Sequence, residues 1–148
     1  MNEKLDAQKQ QMLSGSAGKA RDQIEALLDS NSFMEIGTWA GTSKELPAQS
    51  VVGGYGLIDA RPVYVFTQDQ SVQGGAMTQA QAEKIVRIMD LAAKTGAPLI
   101  SILGSAGAKI DEGAAVMNAY ASVMAKSVSI SGVVPQISIL LGQAGGAA

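Results

Sequence analysis

The chain has 148 residues, 47% hydrophobic and 16% charged, which suits one domain with a hydrophobic core and excludes a disordered chain. Its net charge of −2 is too small to argue for a nucleic-acid or membrane-surface binder, and no run of about 18 apolar residues is present to cross a bilayer. Cysteine and histidine are both absent, which excludes disulfides, thiol nucleophiles, thiolate or imidazole metal sites and every triad with an imidazole base. Any catalysis must therefore use carboxylates, hydroxyls, lysine, backbone amides, or a base brought by a substrate or another chain. The N-terminus is polar and lacks the apolar core of a secretion signal, so the sequence is read as cytoplasmic.

Met1 to Gly18 is read as a polar arm ahead of a domain that occupies residues 19–148. Lys19 to Asp29 carries Ala20, Ile24, Leu27 and Leu28 at helical spacing, and Ser30-Asn31-Ser32 stops it. Phe33 to Gly37 reads as a short strand, and Thr42 to Ser50 as a polar loop containing Pro47. Val51 to Ile58 and Val63 to Thr67 are β-rich runs joined by Asp59-Ala60-Arg61-Pro62, a hairpin with a turn of ordinary chemistry. Gly53 and Gly54 suggest a bulge in its first strand.

The stretch from Ser71 to Pro98 holds the clearest helix. Ala82, Ile85, Ile88, Met89 and Ala92 make one apolar stripe, Glu83–Arg87 and Asp90–Lys94 are set as i,i+4 ion pairs, and Gly96 and Pro98 end it. Pro98 to Gly104 reads as a strand buried on both faces. Gly113 to Ser127 is helical with no charge between Glu112 and Lys126, so another layer or another subunit is expected to cover most of its sides. Gln136 to Gly142 reads as a third buried strand. Apolar strands alternating with helices imply an α/β fold with parallel pairing and right-handed crossovers. The final "GQAGGAA" looks like the turn into a further helix, so the chain reads either as a fragment of a longer protein, the favoured reading, or as one half that docks onto a second polypeptide.

Two strand ends run into turns of small residues, "GSAGAKIDEG" (Gly104 to Gly113) and "GQAGGAA" (Gly142 to Ala148). Small residues let a ligand approach backbone N–H groups closely, and a helix N-terminus adds unpaired donors. Two such donors on one point make an oxyanion hole, which stabilises an enolate or tetrahedral oxyanion without a catalytic side chain. The same turns also fit tight strand-to-helix packing alone. "GSAGKAR" (Gly15 to Arg21) lacks the Lys-Ser/Thr ending of a phosphate loop.

The stretches "KARDQIEALLDSNSFMEIG", "GGYGLIDARPVYVFTQDQSVQGGAMTQAQAEKIVRIMDLAAKTGAPLI", "GSAGAKIDEG" and "SGVVPQISILLGQAGGA", in that order, resemble the carboxyltransferase family, the β-type subunits of biotin-dependent propionyl-CoA and methylmalonyl-CoA carboxylases and decarboxylases. The resemblance covers nearly everything from Lys19 onward. It implies a crotonase/ClpP-like spiral of ββα units, incomplete at the C-terminus, of which this chain is the first part of the acyl-CoA-binding half. It implies acyl-CoA as substrate, carboxybiotin on a biotin carboxyl carrier protein as cofactor, a complementary C-terminal carboxyltransferase half, and a homo-oligomer. In such enzymes the freed ureido nitrogen of biotin takes the α-proton, and the enolate captures carbon dioxide. By that pattern the amides of Ala106 and Gly107, flanked by Ser105 and Ala108, form the oxyanion hole, and Gly145 and Gly146 form its companion loop. Gln73, Gly74, Gly75 and Ala76 line the CoA site, together with Lys109.

Several positions depart from the family pattern. The usual Gly-Gly-Ala-Arg is Ala106-Gly107-Ala108-Lys109, Asp111 replaces a Gln, Gln73 replaces an aromatic residue, Ala76 a Ser and Ala144 a common Cys. These departures bear on the acyl group more than on the fold, since Lys109 cannot make an arginine's forked contacts. A second reading keeps the fold but makes a hydratase, isomerase or thioesterase, with Asp111 or Glu112 as base. A third makes the chain a non-catalytic assembly subunit. A Ser105 nucleophile has no imidazole to activate it and is read as a turn hydroxyl. Trp39, Tyr55 and Tyr64 are read as packing residues.

Overall fold

The computed structural model describes residues 17–38 and 50–145. The polar arm before Ala17, the loop with Pro47, Trp39 and Gly146 lie outside the described residues. Five strands form one sheet in chain order: β1 (Met34–Glu35), β2 (Val51–Ile58), β3 (Arg61–Gln68), β4 (Leu99–Ser105) and β5 (Gln136–Ala144). β1–β2 and β2–β3 are antiparallel; β3–β4 and β4–β5 are parallel. Helix α1 (Ala17–Glu25) covers one face of the sheet, and α2 (Gln79–Thr95) and α3 (Ala114–Ser129) the other.

Strand alternation sorts the core into two layers. Val63, Val65, Ile100 and Ile102 pack with Ala20, Ile24 and Leu28 below α1. Tyr64, Phe66 and Leu99 point the other way, onto Ile85, Ile88 and Ala92 of α2. Covered on both faces, β3 and β4 read as nearly unbroken apolar runs. The stripe expected on α2 is buried throughout. A reciprocal capping box starts that helix, Thr78 Oγ1 accepting from the Gln81 amide and Gln81 Oε1 from the Thr78 amide at 2.8 Å, and Gly96 ends it at φ 71°.

Four expectations are corrected. First, the hairpin turn is not ordinary: Asp59 and Ala60 both have positive φ, 50° and 61°, a two-residue turn whose backbone matches the strand twist. The Asp29 carboxylate accepts both turn amides, at 3.1 and 2.9 Å, which offsets the cost of a left-handed alanine. Second, Gly53 and Gly54 make no bulge, since the β2–β3 register is continuous. They make room instead: a Cβ on Gly53 would lie 2.6 Å from Ile88 Cδ1, and one on Gly54 2.0 Å from the Met34 carbonyl. The register shift falls in β4–β5, between Leu103 and Ser105, where the Gln70 side-chain Nε2 donates to the Leu141 carbonyl at 2.8 Å.

Third, Asp90 pairs across the helix interface with Lys126 of α3 rather than along α2 with Lys94, and Glu83 accepts from Gln79 rather than pairing with Arg87. Fourth, β5 is not buried among the described residues, and they supply only part of the cover expected for α3 from another layer or another subunit. Among the described residues α3 buries only Val116, Ala119 and Tyr120, and leaves Met117, Met124 and Val128 exposed. β5 is the sheet's edge and is open along its length, Ile137, Leu140 and Leu141 included. α1 also starts earlier than its apolar spacing suggests, at Ala17, and stops at Glu25 with Leu27 and Leu28 in the following turn.

Candidate functional site

Two turns meet at the carboxyl ends of the parallel strands β3 and β4, where ligands of open α/β sheets gather. The first follows β3 and holds Gln73–Gly75 in a single 3-10 turn. Gln73, Gly74 and Gly75 all have positive φ, of 50°, 66° and 73°. The second follows β4 and runs from Ser105 to Lys109, with Gly107 at φ 110°. Ala106 does not join it in the left-handed region, so its methyl group is compatible with the backbone.

The turns are joined rung by rung. The Ala106 amide donates to the Gly74 carbonyl at 2.8 Å, the Met77 amide to the Gly107 carbonyl at 2.9 Å, and the Lys109 amide to the Met77 carbonyl at 3.0 Å. The Ser105 hydroxyl, fully buried, donates to the Gly75 carbonyl at 2.8 Å and accepts the Gly107 amide at 3.1 Å. Gly75 must be glycine, because a Cβ there would lie 2.2 Å from the Gly104 carbonyl oxygen. The last described residue joins the same node: the Gly145 amide donates to the Ser105 carbonyl at 2.8 Å.

This bonding changes which donors are open. The amides of Ala106 and Gly145 are occupied within the fold, and that of Gly107 is held by Ser105. Among the described residues no acceptor takes the amides of Gln73, Gly74 and Ala108. Gly74 and Ala106 are exposed, Ala76, Ala108 and Lys109 half-buried, and Gly75 and Gly107 buried, so the junction has one open side. The two stretches singled out in the sequence do meet, but the amides of Ala106 and Gly107 are engaged within the fold, through rungs that depend on contacts 30 residues apart.

Of the two carboxylates beside the junction, Glu112 has a structural partner. Glu112 Oε2 accepts the Gln79 amide at 2.9 Å, so it caps the N-terminus of α2 rather than that of its own helix. Asp111 is exposed. The Tyr120 hydroxyl is buried with no hydrogen bond of ordinary geometry among the described residues, and burial pushes its pKa up, partly offset by the Ser105 hydroxyl. Tyr64 packs in the core, while Tyr55 beside it stays partly exposed, with ring centroids 6.1 Å apart.

A second polar cluster, missed in the sequence, is centred on Lys84 in the N-terminal half of α2. Lys84 is buried and donates to Glu35 at 3.2 Å and to the Val51 carbonyl at 2.8 Å; Arg21 pairs with the same Glu35. Burial lowers the Lys84 pKa below its ordinary value, and the Glu35 charge opposes that shift.

Known proteins share both the sequence and this architecture. The sequence matches the carboxyl transferase domain over residues 15–148. The propionyl-CoA carboxylase beta chain of Cereibacter sphaeroides is 43% identical over 137 residues, covering 87% of this chain and 27% of that protein. The methylmalonyl-CoA decarboxylase subunit alpha of Veillonella parvula is 40% identical, with the same shares covered. A transcarboxylase 12S structure with methylmalonyl-coenzyme A and methylmalonic acid bound superposes with a TM-score of 0.89 at 37% identity, over 98% of this chain and 32% of that one. The chain thus spans about a quarter to a third of these relatives. The fold is crotonase-like, with β2, β3 and α2 as one ββα unit. Matched over nearly all of its length, the chain belongs to the carboxyl transferase domain family.

Proposed function

We propose that the chain supplies the acyl-CoA site of a biotin-dependent carboxyltransferase, holding a thioester at the junction of the Gln73–Ala76 and Ser105–Lys109 turns. The observation that carries this reading is the pair of amides at Gly74 and Ala108, left without acceptors on turns that are otherwise bonded together. Open amides on a rigid frame stabilise charge on a thioester oxygen as the enolate forms, with little reorganisation. In this reading Ala106, Gly107 and Gly145 are the frame, and Gly74 and Ala108 are the donors. Lys109, half-buried at the same turn, faces the phosphates of CoA as a point charge.

Apart from Lys109, the junction is built of neutral and mostly small residues with no imidazole or thiol, which suits an acyl thioester whose proton is removed by another group. Carboxybiotin on a carrier protein supplies the carboxyl group and, after losing it, the base. The chain's own residues bind the thioester, orient its α-carbon and hold the developing negative charge. A hydratase or isomerase would need Asp111 or Glu112 as base, and Glu112 is already engaged at the start of α2.

The test combines this chain with a complementary carboxyltransferase half and a carboxybiotin carrier. Acetyl-, propionyl- and butyryl-CoA are offered, and carboxyl transfer is followed with the label placed in the carboxyl group of the carboxybiotin. Biotin-dependent labelling of one or more acyl-CoAs is expected. Hydration of an enoyl-CoA without biotin, with no labelling, would overturn the reading.

A further inference from the structure

Two buried hydroxyls, those of Ser105 and Tyr120, are left unexplained by packing. Ser105 has no exposed surface, and its Oγ touches both turns at once. A serine hydroxyl carries one proton and two acceptor lone pairs. The proton goes to the Gly75 carbonyl at 2.8 Å, the shorter of its two carbonyl contacts; the Gly107 carbonyl is at 3.4 Å. One lone pair takes the Gly107 amide, and the other is left for the Tyr120 hydroxyl on α3, a buried side-chain donor with no other partner among the described residues.

We infer that Ser105 and Tyr120 are positioning residues that lock the two turns at the spacing the thioester site requires. The inference rests on the reading that this junction binds the acyl thioester. Its logic is geometric. Gly75 sits one residue after the open Gly74 amide, and Gly107 one residue before the open Ala108 amide. Ser105 ties Gly75 to Gly107, and so fixes one donor relative to the other. The O–H of Tyr120, by filling the last lone pair, would anchor that tie to α3. Without the hydroxyl, the backbone rungs at Ala106 and Met77 still hold the turns together, but nothing joins the Gly75 carbonyl to the Gly107 amide. Small misplacements of such donors are costly, a 1 Å error being worth about a hundredfold in rate.

Neither residue touches the reacting atoms, so the effect belongs in kcat more than in the KM for acyl-CoA. In the assembled enzyme, S105A is expected to lower kcat about 30-fold with KM for acyl-CoA changed less than about threefold, within the range for a lost positioning contact. S105C, which keeps a weak donor and acceptor, should recover part of the loss. Y120F, which removes only the hydroxyl, should lower kcat several-fold in the parent and add little in the S105A background, because the two act as one unit. A kcat for S105A within twofold of the parent, or independent losses from S105A and Y120F, would overturn the inference.

Amide hydrogen exchange reads the lock independently of turnover. S105A and Y120F should speed exchange in residues 73–77 and 105–109 while leaving 85–92 in α2 unchanged. Unchanged exchange at both turns would overturn the lock even where activity falls. If S105A does not fold, Y120F and S105C carry both readouts. If the parent shows no carboxyl transfer, the functional reading fails by itself, and the exchange pattern still decides whether the two hydroxyls hold the turns.

Discussion

Gly75 and Gly96 have nearly the same left-handed backbone, φ 73° and 71°, but different surroundings. A Cβ on Gly96 meets nothing within 4 Å, so G96A should cost only the left-handed strain, about 1–2 kcal/mol. A Cβ on Gly75 meets the Gly104 carbonyl at 2.2 Å, so G75A must also push the two turns apart. Urea unfolding should show G75A at least twice as destabilising as G96A; equal losses would mean that the turns are not held as described. Ala108 gives a sharper functional test. Its amide bonds to nothing among the described residues, while the rungs on either side use the Gly107 carbonyl and the Lys109 amide. A108P therefore deletes a donor without deleting a hydrogen bond of the fold. Loss of one oxyanion donor lowers kcat by about 10²–10³. A108P should show a loss of that size with an unchanged circular dichroism spectrum, while A108G stays close to the parent.

At the scale of elements, Lys84 joins three of them: it rises from α2 to Glu35 on β1 and to the first carbonyl of β2. Its pKa lies below the ordinary 10.5 because burial disfavours the charged form. The unfolded chain therefore holds this proton more tightly than the folded one. Between the lowered value and 10.5 the unfolded state binds more protons, so this group's contribution to stability rises with pH across that alkaline window and is flat well below it. The stability of the parent relative to K84M should accordingly climb as pH is raised towards 10.5; a flat or falling difference would contradict the burial argument. The elements themselves were largely legible in the sequence. The α2 stripe repeats at helical spacing, Gly96 ends the helix, and β3 and β4 are apolar runs bounded by breakers. The Thr78-to-Gln81 spacing also announces a capping box. Lys84 was not legible, since it sits beside the stripe as any solvated lysine would, and only the fold brings Glu35 to it. The Asp59-Ala60 turn was missed for the same reason, because Asp29, which holds it, is 30 residues away in sequence.

Across the whole molecule, apolar side chains on α3 and β5 lie open, with Val128 75% and Leu140 62% exposed. Such a surface binds hydrophobic dyes. The chain on its own should enhance anilinonaphthalene sulfonate fluorescence, and V128K combined with L140K should reduce that signal severalfold. An unchanged signal would place the dye elsewhere. The absence of charge between Glu112 and Lys126 announced this face, but not that the described residues would leave it uncovered. The two turns of the candidate site were legible as stretches of small residues after parallel strands; which of their amides stay open was not, because each rung between the turns is a long-range bond. The central claim is that Gly74 and Ala108 polarise a thioester carbonyl. Infrared difference spectroscopy of carbonyl-labelled propionyl-CoA bound to the assembled enzyme reads this directly. The account predicts a thioester stretch shifted to lower frequency on binding, with the shift reduced in A108P. Bound thioester absorbing at its free-solution frequency would contradict it.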